Sequence, residues 1–539
     1  MQKTPARNTL FYGDNLAILR EHIADESVDL IYLDPPFNSN ASYNVLFRAP
    51  DGHQSQAQIE AFDDTWHWNP PAERAFDEVL QSGNSDAAEM LRAMRSFLRE
   101  NDMMAYLTMM AVRLIDLHRV LKPTGSLYLH CDPTASHYLK MLLDAVFGNK
   151  QFINEIIWLR ANAHNFKTRF WPRQHDILLF YGMADGVVVN PQYEPYGPQQ
   201  LARYKADSNG RLYTSQDLTV SLVRRWRQFD WRGVTPPPHR SWGASREQLE
   251  AWYEEGRILL RKDGKPRLDG LKVYLDETPG KQVGTVWDSI DRIKNTSGER
   301  LGYPTQKPLA LLERIIAASS NEGDLVLDPF CGCGTTVHAA QKLNRRWIGI
   351  DITHLAIHLI KRRLNEAFPK IGFDIIGEPK DLDGACVLAA QDKYEFQKWA
   401  LALINAQPYK SGKKGGDGGV DGFLYIKPDG KKTEKVIVSV KGGQSLNPAM
   451  VKDLIVTVDQ EGAKMGVFLT LEPPTKGMRT QATAAGFYKT EYGEFPKIQI
   501  VTVEELFGPS NPLHLPWQDT SVFKKAKRET TEKQSELDL

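Results

Sequence analysis

The sequence predicts an α/β fold built on a mostly parallel sheet covered by helices on both faces. Three observations predict it. Short apolar runs of strand length alternate with stretches of helical periodicity. Two of those runs end on an aspartate followed by proline, a strand-to-loop turn at the sheet edge where ligands of such folds bind. At 539 residues the chain exceeds one ordinary domain, so two or three are expected.

The strand candidates are Asn8–Gly13, Val28–Leu33, Ser126–His130, Asn154–Leu159, Asp176–Tyr181, Asp324–Asp328 and Arg346–Asp351. They number seven and fall in two blocks separated by a long insert. Between the second and third, Met104, Leu107, Ala111, Leu114, Leu117 and Leu121 recur at helical spacing. That helix is expected to stop at Lys122-Pro123, with Gly125 beyond. Asn38 to Glu100 and Met183 to Arg300 lack clear periodicity and read as long irregular stretches. Pro379 to Gly384 is linker-like in composition, and a separate unit follows to about Phe507. The charged segment KKAKRETTEKQSELDL that follows reads as disordered.

Composition excludes little. Lys+Arg and Asp+Glu are equal at 67 each, so a surface for a polyanion would have to be a local patch. Mean hydropathy is negative and no run of apolar residues is long enough for a membrane span. The N-terminal residues have no apolar core of a secretory signal. Cys131, Cys331, Cys333 and Cys386 lack metal-ligand spacing and read as free thiols, which points to a cytoplasmic protein.

Three motifs carry chemistry. Asp34-Pro35-Pro36-Phe37 follows a strand directly. Asp34 can accept a hydrogen bond from an amino group, the prolines stiffen the turn, and Phe37 offers a flat face to a base. Taken alone, such a tetrapeptide is also an ordinary turn. Asp328-Pro329-Phe330-Cys331-Gly332-Cys333-Gly334-Thr335-Thr336 reads as strand, loop and helix start, with Gly332 and Gly334 permitting close backbone approach. Asp351 ends the next strand, where a carboxylate suits a ribose diol. The glycine spacing is not that of dinucleotide enzymes. Gly13-Asp14-Asn15 ends the first strand and is either a ligand contact or a helix N-cap.

GDN at 13–15, DPPFN at 34–38, LKPTGSLYLHCDPTASHYLK at 121–140, YPTQKPLALLERII at 303–316, DPFCGCGTT at 328–336 and IGIDI at 348–352 together resemble the amino-methylating DNA methyltransferases. The motif order, with the catalytic tetrapeptide ahead of the glycine loop, resembles their permuted β-class. That class includes the modification subunits of Type III restriction systems. The resemblance implies a Rossmann-like seven-stranded sheet: a catalytic half at 1–184, a target-recognition insert at 185–300 and an S-adenosylmethionine-binding half at 301–378. It implies that Asp34, Pro35, Pro36 and Phe37 hold the target base. It assigns Asp14, Lys307, Asp328, Phe330, Gly332, Gly334, Thr335 and Asp351 to S-adenosylmethionine, with Pro308 beside Lys307. Double-stranded DNA is the implied partner; a homodimer and a separate restriction subunit are compatible with it.

No cysteine follows a proline, which disfavours C5-cytosine chemistry. An exocyclic amine can instead attack a sulfonium methyl directly, on a base flipped out of the duplex. An aspartate at the first motif position favours N6 of adenine, with N4 of cytosine as the alternative. Within the insert, Arg224, Arg225, Arg227, Trp231 and Arg232 interleave basic and aromatic residues, as DNA contacts or as a solvated hairpin with packed aromatics. Phe62, Trp66 and Trp68 are either a lid over the base or core.

Residues 385–508 carry Gly415–Phe423 and then Val436–Lys441, and resemble the PD-(D/E)xK fold, in particular the Mrr-type restriction endonuclease domain. The resemblance implies Asp421 as a Mg²⁺ ligand and Lys441 as the residue orienting water. Two departures weaken it: Ser439 stands two before Lys441, and Gln397 stands where a metal ligand is expected unless Glu395 replaces it. A bifunctional restriction–modification enzyme that cleaves DNA with Mg²⁺ is therefore the competing reading. Residues 509–539 form the charged tail.

Overall fold

The computed structural model describes residues 4–36, 42–48, 54–63, 67–161, 169, 171–184, 186–294, 296–303, 305–409, 419–430, 432–519 and 526–529, with the backbone only at 42–48 and 54–63. Phe37, the Phe62 side chain, Trp66 and the Gly415–Gly418 part of the glycine-rich stretch lie outside what is described.

Two distant blocks of sequence build one nine-stranded sheet. Its order is Val286–Trp287, Phe152–Leu159, His175–Gly182, Leu121–Cys131, Val28–Leu33, Leu325–Asp328, Arg346–Asp351, Thr9–Tyr12 and Asp374–Ile376. All pairings are parallel except those of His175–Gly182, which runs antiparallel to both neighbours. All seven expected strands are in it. The two additional members, Val286–Trp287 and Asp374–Ile376, are edge strands of two and three residues, too short to show a period.

The central seam positions the site. Val28–Leu33 lies beside Leu325–Asp328, with Leu30 opposite Val326 and Ile31 opposite Leu327. Both strands are apolar on both faces, as a covered parallel sheet requires. Their carboxyl ends, Asp34 and Pro329, therefore emerge side by side although almost three hundred residues separate them.

The helix expected at Met104–Leu121 spans Asp102–Val120, capped by Asn101, whose side chain accepts from the Met104 N–H. It ends before Lys122-Pro123. Its carbonyls at Arg119 and Val120 accept from the N–H groups of Glu26 and Ser27, and Leu121 already pairs with Val28. The stop is set by a neighbouring turn, not by the proline. Part of the first stretch expected to be irregular is helical: Pro70–Gln81 and Ser85–Leu98, capped by Asn69 and Asn84. Phe76 and Val79, and Ala87, Leu91 and Met94, place one face of each in the core. The Pro70-Pro71 pair opens the first helix, where its missing N–H costs nothing.

Pro191–Gly284 is a compact unit of its own, narrower than the expected 185–300. It holds a four-stranded antiparallel sheet and a core of Leu218, Trp231, Val234, Trp242, Leu249 and Ile258.

The remaining residues begin with helix Leu382–Gln391, capped by Asp381, so the linker-like stretch is already helix at its end. Helix Lys393–Leu403 and a five-stranded sheet follow, in the order Gln407–Pro408, Gly422–Ile426, Glu434–Lys441, Met465–Thr470 and Ile498–Thr502. Lys393–Leu403 packs on helix His354–Ala367 of the large sheet's layer. The segment expected to be disordered is placed in part. Asp519 N–H donates to the Tyr425 carbonyl and Ala526 N–H to the Glu366 carboxylate. These backbone donors are satisfied by a strand carbonyl and by a side chain of helix His354–Ala367, which composition does not reveal. No helix among the described residues is long and apolar enough to cross a membrane.

Candidate functional site

A cavity of about 270 Å³ opens at the carboxyl ends of the central strands. It is lined from one side by Tyr32, Asp34, Pro35 and Pro36 and from the other by Asp328, Phe330, Gly332, Thr335 and Asp351, with Asp14 and Lys307 also on its wall. The two motif regions thus share one space.

Asp34 leaves the strand into a turn whose φ angles Pro35 and Pro36 fix. Its Oδ2 is ion-paired with the Lys307 ammonium. Its Oδ1 is buried and has no hydrogen-bond partner among the described residues. A buried carboxylate oxygen without a donor is costly. Asp34 itself lines the cavity, so an unfilled acceptor lies at its wall. Lys307, expected beside a cofactor, is on the cavity wall and pairs there with Asp34. Pro308, after it, caps helix Leu309–Ser319.

The glycine loop is held from three sides. The Cys331 N–H donates to the Ile350 carbonyl (3.0 Å), the Gly334 N–H to the Cys331 carbonyl (2.8 Å) and the Gly332 N–H to Asp351 Oδ2 (2.9 Å). Gly332 has φ +52° and lies against the buried Tyr303 ring. Gly334 has φ +75°, but it is not on the cavity wall: a Cβ there would sit 2.7 Å from Ile360. Its requirement for glycine is backbone and packing, not ligand approach.

Asp351 Oδ1 accepts from the Thr353 N–H and hydroxyl, each at 2.9 Å. Burial pushes this carboxyl up to about 6, against those bonds and the one from Gly332, with the charge of Glu395 raising it further. Asp328 is buried and pushed up to about 7 by burial, while bonds from the Thr336 side chain and the Phe330 N–H act against the rise.

Asp14 is not a side-chain cap for helix Asn15–His22. Its Oδ1 accepts from Arg113 Nη2 (2.7 Å), and Arg113 Nε donates to Asn15 Oδ1 (2.6 Å). Asn15 Nδ2 reaches the Pro329 carbonyl (2.8 Å), tying the first strand end to the glycine loop. Arg113, Asn15 and Tyr303 were not among the expected site residues. The available signal for Arg113 was a single arginine in an otherwise apolar run from Met103 to Leu114.

In the Pro191–Gly284 unit, Trp231 is core: it is 1% exposed, donates to Glu250 and meets Trp242 edge-on at 5.7 Å. Expected as a DNA contact, it packs because its indole N–H finds a carboxylate partner in Glu250. Arg232 pairs with Glu250 and lies 3.6 Å over the Tyr253 ring. Arg227 donates to the Gly243 carbonyl. Arg224 precedes the short turn Arg225–Arg227, on which Arg225 is exposed and Trp226 is 75% exposed. Trp68 packs among helices, bonded to Glu73 under the Arg95 guanidinium.

The Asp421 site differs from its expected form. Gln397 Nε2 donates to Oδ1 (2.7 Å), while the Val440 N–H (2.6 Å) and Ser439 hydroxyl (3.2 Å) donate to Oδ2. Lys441 Nζ stands 3.8 Å from Oδ2. Glu395 does not replace the missing ligand: it pairs with Lys398, and its charge is felt at Asp351 and Tyr12. No group of three His, Cys, Asp or Glu side chains suited to a metal occurs among the described residues. A donor set of one carboxylate already bonded to an amide, a hydroxyl and a backbone N–H does not fit Mg²⁺, which needs several free oxygens. The expected Mg²⁺ at Asp421 is therefore not supported by the described residues.

Known proteins resemble the chain in two blocks. Residues 393–507 match the family described as NACHT-associated inactive Restriction Endonuclease 1. The Type II methyltransferase M.EcaI of Enterobacter cloacae is 30% identical over 361 residues, 66% of this chain and 69% of that protein. The StyLTI Mod subunit, a Type III restriction-modification enzyme of Salmonella typhimurium, is 25% identical over 63% of this chain and 50% of its own length. The Type II methyltransferase M.HpaI of Haemophilus parainfluenzae is 46% identical over 19% of this chain and 33% of its own length. The chain thus spans about half and a third of the latter two relatives. Residues 28–362, containing the shared cavity's two aspartate motifs, match the N6_N4_Mtase DNA methylase family, and the chain belongs to that family of amino-methylating DNA methyltransferases.

Proposed function

We propose that this chain transfers a methyl group from S-adenosylmethionine to N6 of adenine in double-stranded DNA. The observation that carries the reading is Asp34, which lines the same cavity as Gly332 and Asp351 and whose Oδ1 is a buried acceptor without a donor among the described residues. The donor set fits S-adenosylmethionine. Asp351 accepts three bonds among about four lone-pair positions, which leaves room for a ribose hydroxyl. Phe330, Asp14 and Thr335 line the same wall. When bound, S-adenosylmethionine supplies a sulfonium methyl as electrophile.

The chain's own work is on the amine. An exocyclic amine is a poor nucleophile because its lone pair is delocalised into the ring. Asp34 Oδ1 and the Pro35 carbonyl accept its N–H groups and favour the pyramidal nitrogen of the transition state. Lys307, fixed on Oδ2, holds the carboxylate in one orientation. A paired base cannot reach this cavity, so the target is flipped out. Arg225 and Trp226, exposed on the Pro191–Gly284 unit, suit phosphate contact and stacking. The likeness to a Mod subunit supports a separate restriction subunit as a partner. Asp421 has no second carboxylate beside it among the described residues, which argues against Mg²⁺-dependent cleavage by the same chain.

The test is transfer of tritiated methyl to unmethylated DNA, followed by nucleoside mass spectrometry. N6-methyladenine is expected. N4-methylcytosine would overturn the choice of base, and no incorporation on any DNA would sink the reading.

A further inference from the structure

The glycine loop is also held from behind, by a chain of polar contacts that ends on a remote segment. Arg363, on helix His354–Ala367, is 4% exposed, and among the described residues no carboxylate lies within 4.0 Å of it. Its Nη1 donates to the Cys333 carbonyl and the Thr335 hydroxyl, each at 3.1 Å. Its Nε donates to His338 Nδ1 at 3.1 Å. A guanidinium only donates, so His338 Nδ1 is the acceptor there. Burial, then the charges of Arg363 and Lys342, hold the His338 imidazole down to about 3, so the ring is neutral. Its proton is therefore on Nε2, which donates to Glu529 Oε1 at 3.2 Å.

Glu529 is thus the carboxylate at the end of a chain that begins at the loop. Its segment is anchored twice: the Ala526 N–H donates to Glu366 Oε2 (2.7 Å) and the Glu529 N–H to the Ala367 carbonyl (3.0 Å). Lys342 Nζ stands 3.6 Å from the other Glu529 oxygen. Cys333 and Thr335, the two residues Arg363 grips, flank Gly334 and line the cavity; Glu529, His338 and Arg363 do not. Removing a hydrogen bond from a buried guanidinium leaves it to find another acceptor, and here the available ones belong to the loop.

We propose that Arg363 and Glu529 are positioning residues of the methyl-donor site, setting the shape of the 333–335 loop through His338. The inference rests on the donor reading given above. Substitution at Glu529 then acts on ligand affinity without touching the ligand.

The experiment measures binding of S-adenosylmethionine and S-adenosylhomocysteine to the full chain by calorimetry, for wild type, E529A, E529Q and D351A, with KM and kcat for methyl transfer alongside. E529A is expected to raise both dissociation constants about three- to tenfold, the range of coupling through packed polar networks. KM for the donor should rise with it while kcat stays within about twofold. E529Q keeps an acceptor oxygen for His338 and should bind within about twofold of wild type. Unchanged binding by E529A, or equal weakening by E529A and E529Q, overturns the proposal. If D351A weakens binding while E529A does not, this inference alone fails. If wild type does not bind, or D351A binds as wild type does, the donor reading fails and takes this one with it.

Discussion

Asp34 and Asp421 both stand at the ends of sheet strands, in two modules of one chain. Asp34 follows Val28–Leu33, and Asp421 immediately precedes Gly422–Ile426. Both have a lysine close by, Lys307 and Lys441. Their remaining surroundings are opposite. Asp34, on a cavity wall, keeps one oxygen buried and, among the described residues, without a partner. Asp421 has donors on both oxygens, from Gln397, Ser439 and Val440. A carboxylate can act on a ligand only through lone pairs its own protein leaves open, so the same residue type is equipped for chemistry in one module and spent on structure in the other.

The strongest way to break this comparison is Asp34→Asn. The change keeps size but can turn an N–H donor toward the incoming amine. Methyl transfer should fall about 10²–10³-fold, the range for losing one preorganised transition-state partner. Affinity for S-adenosylmethionine should hold. Single-turnover rates with labelled donor measure the first and calorimetry the second. Retained activity would mean that the open oxygen is not used.

The comparison is sharpened from the other side by Gln397→Glu. This exchanges the amide donor on Asp421 Oδ1 for a second carboxylate. Loss of a hydrogen bond to a charged group costs about 1.5–3 kcal/mol, before like-charge repulsion. Thermal unfolding should therefore come several degrees lower without divalent cations, and Mg²⁺ should recover part of the loss because it now meets two carboxylates. Wild type, with a single carboxylate there, should show no such Mg²⁺ response. A wild-type response as large as the variant's would show that Asp421 is open after all.

What the sequence revealed and what it hid divide along the same physical line. The seven principal strands and the motifs at their ends were legible because apolar runs, prolines and glycines act locally. Helices Pro70–Gln81 and Ser85–Leu98 were missed because Pro70-Pro71 and Gly83-Asn84 read as loop punctuation, although they open helices here. The Lys307–Asp34 pair, the Arg113–Asn15–Pro329 tie and the Glu529 contact join residues far apart in the chain. Spacing carries no trace of them. Trp231 and Arg225 look alike in sequence, and only burial separates a core indole from an exposed guanidinium. Gly334 was legible as a required glycine but not for its reason, which is the Ile360 side chain behind it.

Asp351 falls between the two extremes and gives the smallest of the expected effects. Three donors hold it, yet it lines the cavity. Its carboxyl is raised to about 6, chiefly by burial. Above that value it is an acceptor-only carboxylate; below it, the bound proton occupies one acceptor position and adds a donor. If a ribose hydroxyl donates to the ionised form, affinity for S-adenosylmethionine is full above about pH 7 and is lost as pH falls through 6. One unit below the titration point, the open fraction of the carboxylate drops about tenfold, and the dissociation constant should rise by about the same factor, near 1.4 kcal/mol. Asp351→Asn cannot titrate, so its affinity, weaker at pH 7, should be flat across the same range. Calorimetry from pH 5 to pH 8 on both proteins reads the difference. A wild-type profile as flat as the variant's would mean that the three protein donors exhaust Asp351 as fully as they do Asp421, and that the ribose is held elsewhere on the cavity wall.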